Sequence, residues 1–162
     1  MKKGDLERIF EEAFSFLLTE YNFTSTLSKR ESWGYKFTAQ NLTTGVRIKY
    51  EFREAYIQIN LYKLIDGKII ENTADAIKND DPITGFGLWW IIKLKNPEAA
   101  LKPAYEYGIE SPFYDEKNGL KNYVELFSSR LKEYASDILN GDFSSFSALD
   151  TMVKEYYKKN GN

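Results

Sequence analysis

Val46-Arg47-Ile48-Lys49-Tyr50-Glu51-Phe52-Arg53 alternates apolar and charged residues without a break. A period of two is the signature of a β-strand with one buried and one wet face. The pattern spreads to both sides. Downstream, Ile57, Ile59 and Leu61 alternate with Tyr56, Gln58, Asn60 and Tyr62. Upstream, Tyr35, Phe37 and Ala39 alternate with Lys36, Thr38 and Gln40, and Phe23, Ser25 and Leu27 with Asn22, Thr24, Thr26 and Ser28. Four strands with short connections form an antiparallel meander. A one-residue slip would turn every side chain to the wrong face, so register follows from the pattern. We expect Tyr50 opposite Ile59 and Phe37 opposite Tyr50. That register implies a two-residue turn at Glu54-Ala55 and a connection at Leu42-Thr43-Thr44-Gly45, where Gly45 is free to take positive φ.

The apolar face of the sheet needs cover, and the flanking segments supply helices for it. Residues 4–20 place Leu6, Ile9, Phe10, Ala13, Phe14 and Leu17 at helical spacing, ending at Tyr21-Asn22-Phe23, where Asn22 suits a left-handed residue. Leu120–Leu139 carries a long stripe through Tyr123, Val124, Phe127, Leu131, Ala135 and Ile138 and stops at Asn140-Gly141. A last helix begins near Ser147, with Ser147 and Asp150 as a capping box. Between these, residues 65–85 read as loop with one helical turn. Phe86–Lys95 fits helix or strand, with helix preferred. Asn96-Pro97 opens a short helix, and residues 103–118 form an aromatic loop. The expectation is one α+β domain over residues 1–162, a four-stranded antiparallel meander with helices on its apolar face.

Composition narrows the chemistry. The 162 residues contain no Cys and no His. Disulfides, thiolate nucleophiles, Cys/His zinc sites and imidazole acid–base steps are therefore excluded within the chain. Net charge is −2, with 22 basic and 24 acidic side chains. Such a balance does not suggest nucleic-acid binding, which goes with a strongly basic surface. The longest apolar run, Leu88-Trp89-Trp90-Ile91-Ile92, is far short of the ~18 residues of a membrane span. The charged start, Met1-Lys2-Lys3-Gly4-Asp5, is not followed by an apolar signal-peptide core. A cytoplasmic protein with no membrane association is expected.

Glu51, Arg53 and Glu54 bring carboxylates beside a guanidinium, but fit a solvated turn better. Asp75, Asp80 and Asp81 lack the spacing of a calcium loop and read as a turn. Gly85-Phe86-Gly87 is no nucleotide fingerprint, because Trp90 stands where a third glycine would be. Trp89 and Trp90 read chiefly as core and rim packing, with a ligand anchor as the functional alternative. No catalytic residue, metal ligand or cofactor is expected. The strongest candidate is the polar sheet face: Arg47, Lys49, Glu51, Arg53, Tyr56, Gln58, Asn60 and Tyr62. Tyr and Arg are enriched where proteins bind each other.

Two stretches carry a resemblance. Phe16-Leu17-Leu18-Thr19-Glu20-Tyr21-Asn22-Phe23 leaves a helix for a strand, and Arg53-Glu54-Ala55-Tyr56-Ile57-Gln58-Ile59-Asn60-Leu61-Tyr62 closes a hairpin. This layout is similar to small bacterial proteins, some of them of the immunity type encoded near toxins. It covers about the first 65 residues and transfers no site residues. It implies a non-enzymatic module that binds a partner protein, such as a toxin. The alternative is a small-molecule binder or carboxylate-dependent hydrolase with a pocket near Trp89-Trp90. A large apolar surface patch would instead mark a structural subunit.

Overall fold

A computed structural model describes residues 4–160. Its strands are β1 (Thr24–Arg30), β2 (Gly34–Gln40), β3 (Thr44–Glu51), β4 (Tyr56–Lys63) and β5 (Gly85–Gly87), joined in the order β1-β2-β3-β4-β5. All four pairings are antiparallel. The helices are α1 (Asp5–Ala13), α2 (Phe16–Glu20), α3 (Ala74–Lys78), α4 (Leu88–Lys95), α5 (Gly119–Leu139) and α6 (Phe146–Lys159). The fold is α+β, and the expected meander gains a fifth strand.

Leu6 and Phe10 of α1, with Phe14 and Leu17, are buried against the apolar face, where the Phe10 ring lies 4.7 Å from Tyr35 and 5.7 Å from Tyr50. Val124, Phe127, Leu131, Ala135 and Ile138 of α5 complete this layer. Each such side chain contributes about 1.5–3 kcal/mol when fully buried. The stretch expected as one helix over 4–20 breaks at Phe14-Ser15. There the Ser15 hydroxyl donates to the Glu12 carbonyl and its amide bonds the same oxygen. Serine competes for helix carbonyls in this way. Asn22 has φ 60°, the left-handed conformation its position called for.

Register differs from expectation by two residues. Tyr50 lies opposite Ile57 and Tyr35, Ile48 opposite Ile59 and Phe37. A shift of two leaves each side chain on its expected face. Its cause is the turn. Primed two-residue turns need Gly or Asn at positive φ, which Glu54-Ala55 does not provide. Instead Phe52-Arg53-Glu54-Ala55 closes the hairpin, with Ala55 at φ 47° donating its amide to the Glu51 carbonyl. Phe52 thus leaves the strand and is exposed.

The preceding connection is Asn41-Leu42-Thr43. The Asn41 side chain accepts from the amides of Thr43 and Thr44 and donates to the carbonyls of Tyr21 and Leu139. Gly45 is in the strand, not at positive φ, and a Cβ there would stand 2.6 Å from Ile69 Cγ1. Its smallness admits a covering segment. β1 also departs from expectation, because a bulge between Ser25 and Leu27 reverses its phase. Leu27 sits opposite Thr38 on the polar face, while Ser28 points to the apolar side and its Oγ lies 2.5 Å from the Tyr35 hydroxyl.

Within Phe86–Lys95 the preferred helix forms, from Leu88 to Lys95, and takes in Trp89–Ile92; a strand lies just before it, where Gly85–Gly87 pairs with Asn60–Tyr62 of β4. Gly85-Phe86-Gly87 is therefore an edge strand. The capping box at Ser147 is not formed, since α6 starts one residue earlier. The Asp150 carboxylate accepts from the Ile83 amide and pairs with Lys154.

Candidate interaction face

The sheet's second face divides into a covered half and an open half. Asp66 and Gly67, both at positive φ, make a two-residue turn bracketed by reciprocal bonds between Ile65 and Lys68. This turn folds the segment after β4 back over the sheet. Ile69 lies on Gly45, and the Gly67 carbonyl accepts from Gln40. Glu71 then takes two of the expected site residues. The Arg47 guanidinium pairs with it, and the Tyr62 hydroxyl donates to it at 3.1 Å. The Arg47 guanidinium also lies 5.7 Å from the Tyr62 ring centre.

Tyr62 is accordingly buried at 4% exposure, its ring packed on Gly85, where a Cβ would approach to 2.2 Å. Burial pushes its phenol up, against the lowering effect of Arg47. Arg47 and Tyr62, two of the four Arg and Tyr residues expected on the face, are spent on internal contacts. They do not form part of an open binding surface.

The open half holds the rest. Asn60 stands between Arg47 and Gly87, Gln58 opposite Lys49, and Tyr56 opposite Glu51. Arg53 is exposed in the turn, off the strand that was expected to carry it. Tyr56 is half-buried and its ring meets Phe127 edge-on at 5.9 Å, so it also belongs to an aromatic cluster with Tyr107, Phe113 and Tyr123. Burial pushes the Tyr56 phenol up, and Tyr107 adds to this. Tyr123 is shifted the same way by burial and then by Tyr107, Tyr56 and Tyr50. Phenols held in this manner stay protonated near neutral pH and serve as donors, not bases. The Tyr123 hydroxyl donates to the Lys102 carbonyl.

The bulge in β1 brings Lys29 to this face, opposite Lys36. Lys29, Lys36, Lys49 and Gln58 form one row across four strands. Lys29 is 3.5 Å from Glu31, while Lys36 and Lys49 make no ion pair among the described residues. Strand alternation already put Lys36 on the polar side. The bulge, which alternation alone does not signal, is what adds Lys29 to the row.

A groove runs beside the open half, where β5 ends and leaves the first residues of β4 as an edge. One part, of about 370 Å³, is lined by Glu51, Glu54, Tyr56, Gln58, Trp89 and Leu101. The adjoining part, of about 260 Å³, shares Tyr56, Gln58, Trp89 and Leu101 and reaches Phe127. Trp89 and Trp90 are half-buried, 4.6 Å apart edge-on, with the Lys93 ammonium over both.

Asp75 and Asp80 lie apart from this region, and Lys154 holds Asp80 below the usual carboxylate range through a hydrogen bond and its charge. Among the described residues, no group of three or more Asp and Glu is placed to hold a metal ion. Nor is any helix there long and apolar enough to cross a membrane. No family model, curated protein or solved structure matches the chain.

Proposed function

We propose that this chain is a non-enzymatic interaction protein that binds a partner protein through the open half of its sheet face. Lys36, Lys49, Glu51 and Gln58 form its centre, and a toxin is the kind of partner the resemblance implies. One observation carries the reading. The chain folds its own segment over half of the polar face and leaves the other half uncovered by it, with Gln58 exposed, Lys36, Lys49 and Glu51 half-buried, and the two lysines directly opposed without an ion pair among the described residues. An arrangement that works against folding is better explained by an external counterpart than by solvation alone. The lack of His and Cys supports a binding role over catalysis. Co-purification from the source cells tests it. The expected result is a stoichiometric complex that a Lys36→Glu, Lys49→Glu double variant dissolves. Recovery of the chain alone at every salt concentration would contradict it.

The groove supports a second reading, a small-molecule site. Its volume lies within the range of about 300–1,000 Å³ usual for ligand pockets, and Tyr56 and Trp89 give it aromatic walls. A compound that raises the melting temperature and moves the Trp89 indole resonance would favour it. Stabilising compounds that leave that resonance in place would remove it.

A further inference from the structure

Resting on the interaction reading above, we propose that the lysine row accepts the acidic face of a helix from the partner protein. Lys29, Lys36 and Lys49 are consecutive cross-strand neighbours. Directly opposed residues in antiparallel strands have Cβ atoms about 4.5–5.5 Å apart. On a helix, side chains three and four positions apart are spaced by about 5–6 Å. Three carboxylates on one helix face can therefore meet three ammonium groups in register. An added strand matches less well, because its same-face side chains repeat at about 6.6–6.8 Å and drift out of step with the row.

The surroundings favour protein over nucleic acid. Glu31 stands beside Lys29, Glu51 follows Lys49 on the same face, and the chain's net charge is −2. A phosphate backbone would meet these carboxylates as well as the lysines, and nucleic-acid binders typically carry a broader basic surface. A helix that lies along the row and leans toward Leu27 keeps to the side away from Glu51, which follows two residues after Lys49. It also finds apolar footing on the lysine stems and on Leu27, which is 37% exposed on the same face.

The test uses the full chain, isotope-labelled, and two stapled alanine-based helical peptides of equal composition. One carries glutamates at i, i+4 and i+7. The other carries the same glutamates spread around the helix. At low salt the registered peptide is expected to shift the amides of Lys29, Lys36 and Lys49. It should bind at least about tenfold more tightly than its isomer, a difference of about 1.4 kcal/mol. A Lys36→Gln, Lys49→Gln variant should lose that preference. Equal binding of the two peptides, or shifts centred away from the row, would overturn the proposal. So would stronger binding of an oligothymidylate of equal charge at the row. Any of these results, obtained alongside a complex isolated from cells, would remove the acidic helix and leave the interaction reading standing.

Discussion

Lys36 and Lys49 stand directly opposite one another on β2 and β3, and neither has a carboxylate within ion-pair distance among the described residues. Like charges so placed repel, and a cross-strand pair of this kind is worth roughly 0.2–1 kcal/mol against folding. Replacing either with Gln should therefore raise stability by about that amount, read as a higher urea midpoint at unchanged slope. A loss of stability on either substitution would mean the lysines are held by contacts that offset their repulsion.

Gly85 and Tyr62 form the tightest packing on the covered half. A Cβ at position 85 would approach Tyr62 Cδ1 to 2.2 Å, so the ring or the β5 backbone must shift, at the cost of the Tyr62–Glu71 geometry. Gly85→Ala should cost about 1–3 kcal/mol, the usual range for overpacking. Tyr62→Phe keeps the ring and removes only the bond to Glu71, a loss of about 0.5–1.5 kcal/mol. Denaturant unfolding of the two variants checks the order, which would be reversed if the hydroxyl mattered more than the fit.

Asn41 ties three parts of the fold together through its side chain: the turn before β3, the end of the first helical region at Tyr21, and the last residue of α5 at Leu139. Asn41→Ala removes four bonds to backbone groups at once and should destabilise by roughly 2–6 kcal/mol, from about 0.5–1.5 kcal/mol for each. Asn41→Asp keeps the acceptor toward Thr43 and Thr44 but faces two carbonyls with a charge. It should rescue little. Recovery of full stability by Asp would show that the turn contacts alone matter.

Stability should fall at alkaline pH. Burial raises the phenols of Tyr50, Tyr56, Tyr62 and Tyr123, and moves Tyr35 from 10.0 to about 12. A group with a raised folded value binds its proton more tightly when folded. Its contribution is complete below the unfolded value and is lost as pH rises through the folded one. Each such phenol gives a slope of about 1.4 kcal/mol per pH unit in that window. Urea midpoints should drop steeply between pH 10 and 12, with Tyr35→Phe reducing the slope. A flat profile through pH 12 would contradict the burial of these hydroxyls.

How far the sequence reveals the molecule depends on which forces act locally. The alternation around Val46–Phe52 is a consequence of one buried face, so strands, faces and the meander order could be read from it. Turn geometry was less legible. Ala55 takes positive φ without being Gly or Asn, and the four-residue turn it closes accompanies a β3–β4 register two residues from the expected one. The bulge after Ser25 leaves no mark in a run of Ser and Thr, so the exposure of Leu27 and the lysine row emerge only from pairing. Arg47 and Tyr62 are polar residues on a polar face. Only the path of the chain past Asp66-Gly67 shows that Glu71 takes both.

Site-specific photo-crosslinking in the source cells tests the open face most directly. A benzophenone side chain would replace Lys36, Lys49 or Gln58 on that face, with Tyr62 on the covered half and Glu12 on α1 as controls. The account predicts one adduct of the same mass at Lys36, Lys49 and Gln58, and none at Tyr62 or Glu12. Adducts of that mass at Glu12, or no adduct at any of the three open positions, would contradict it.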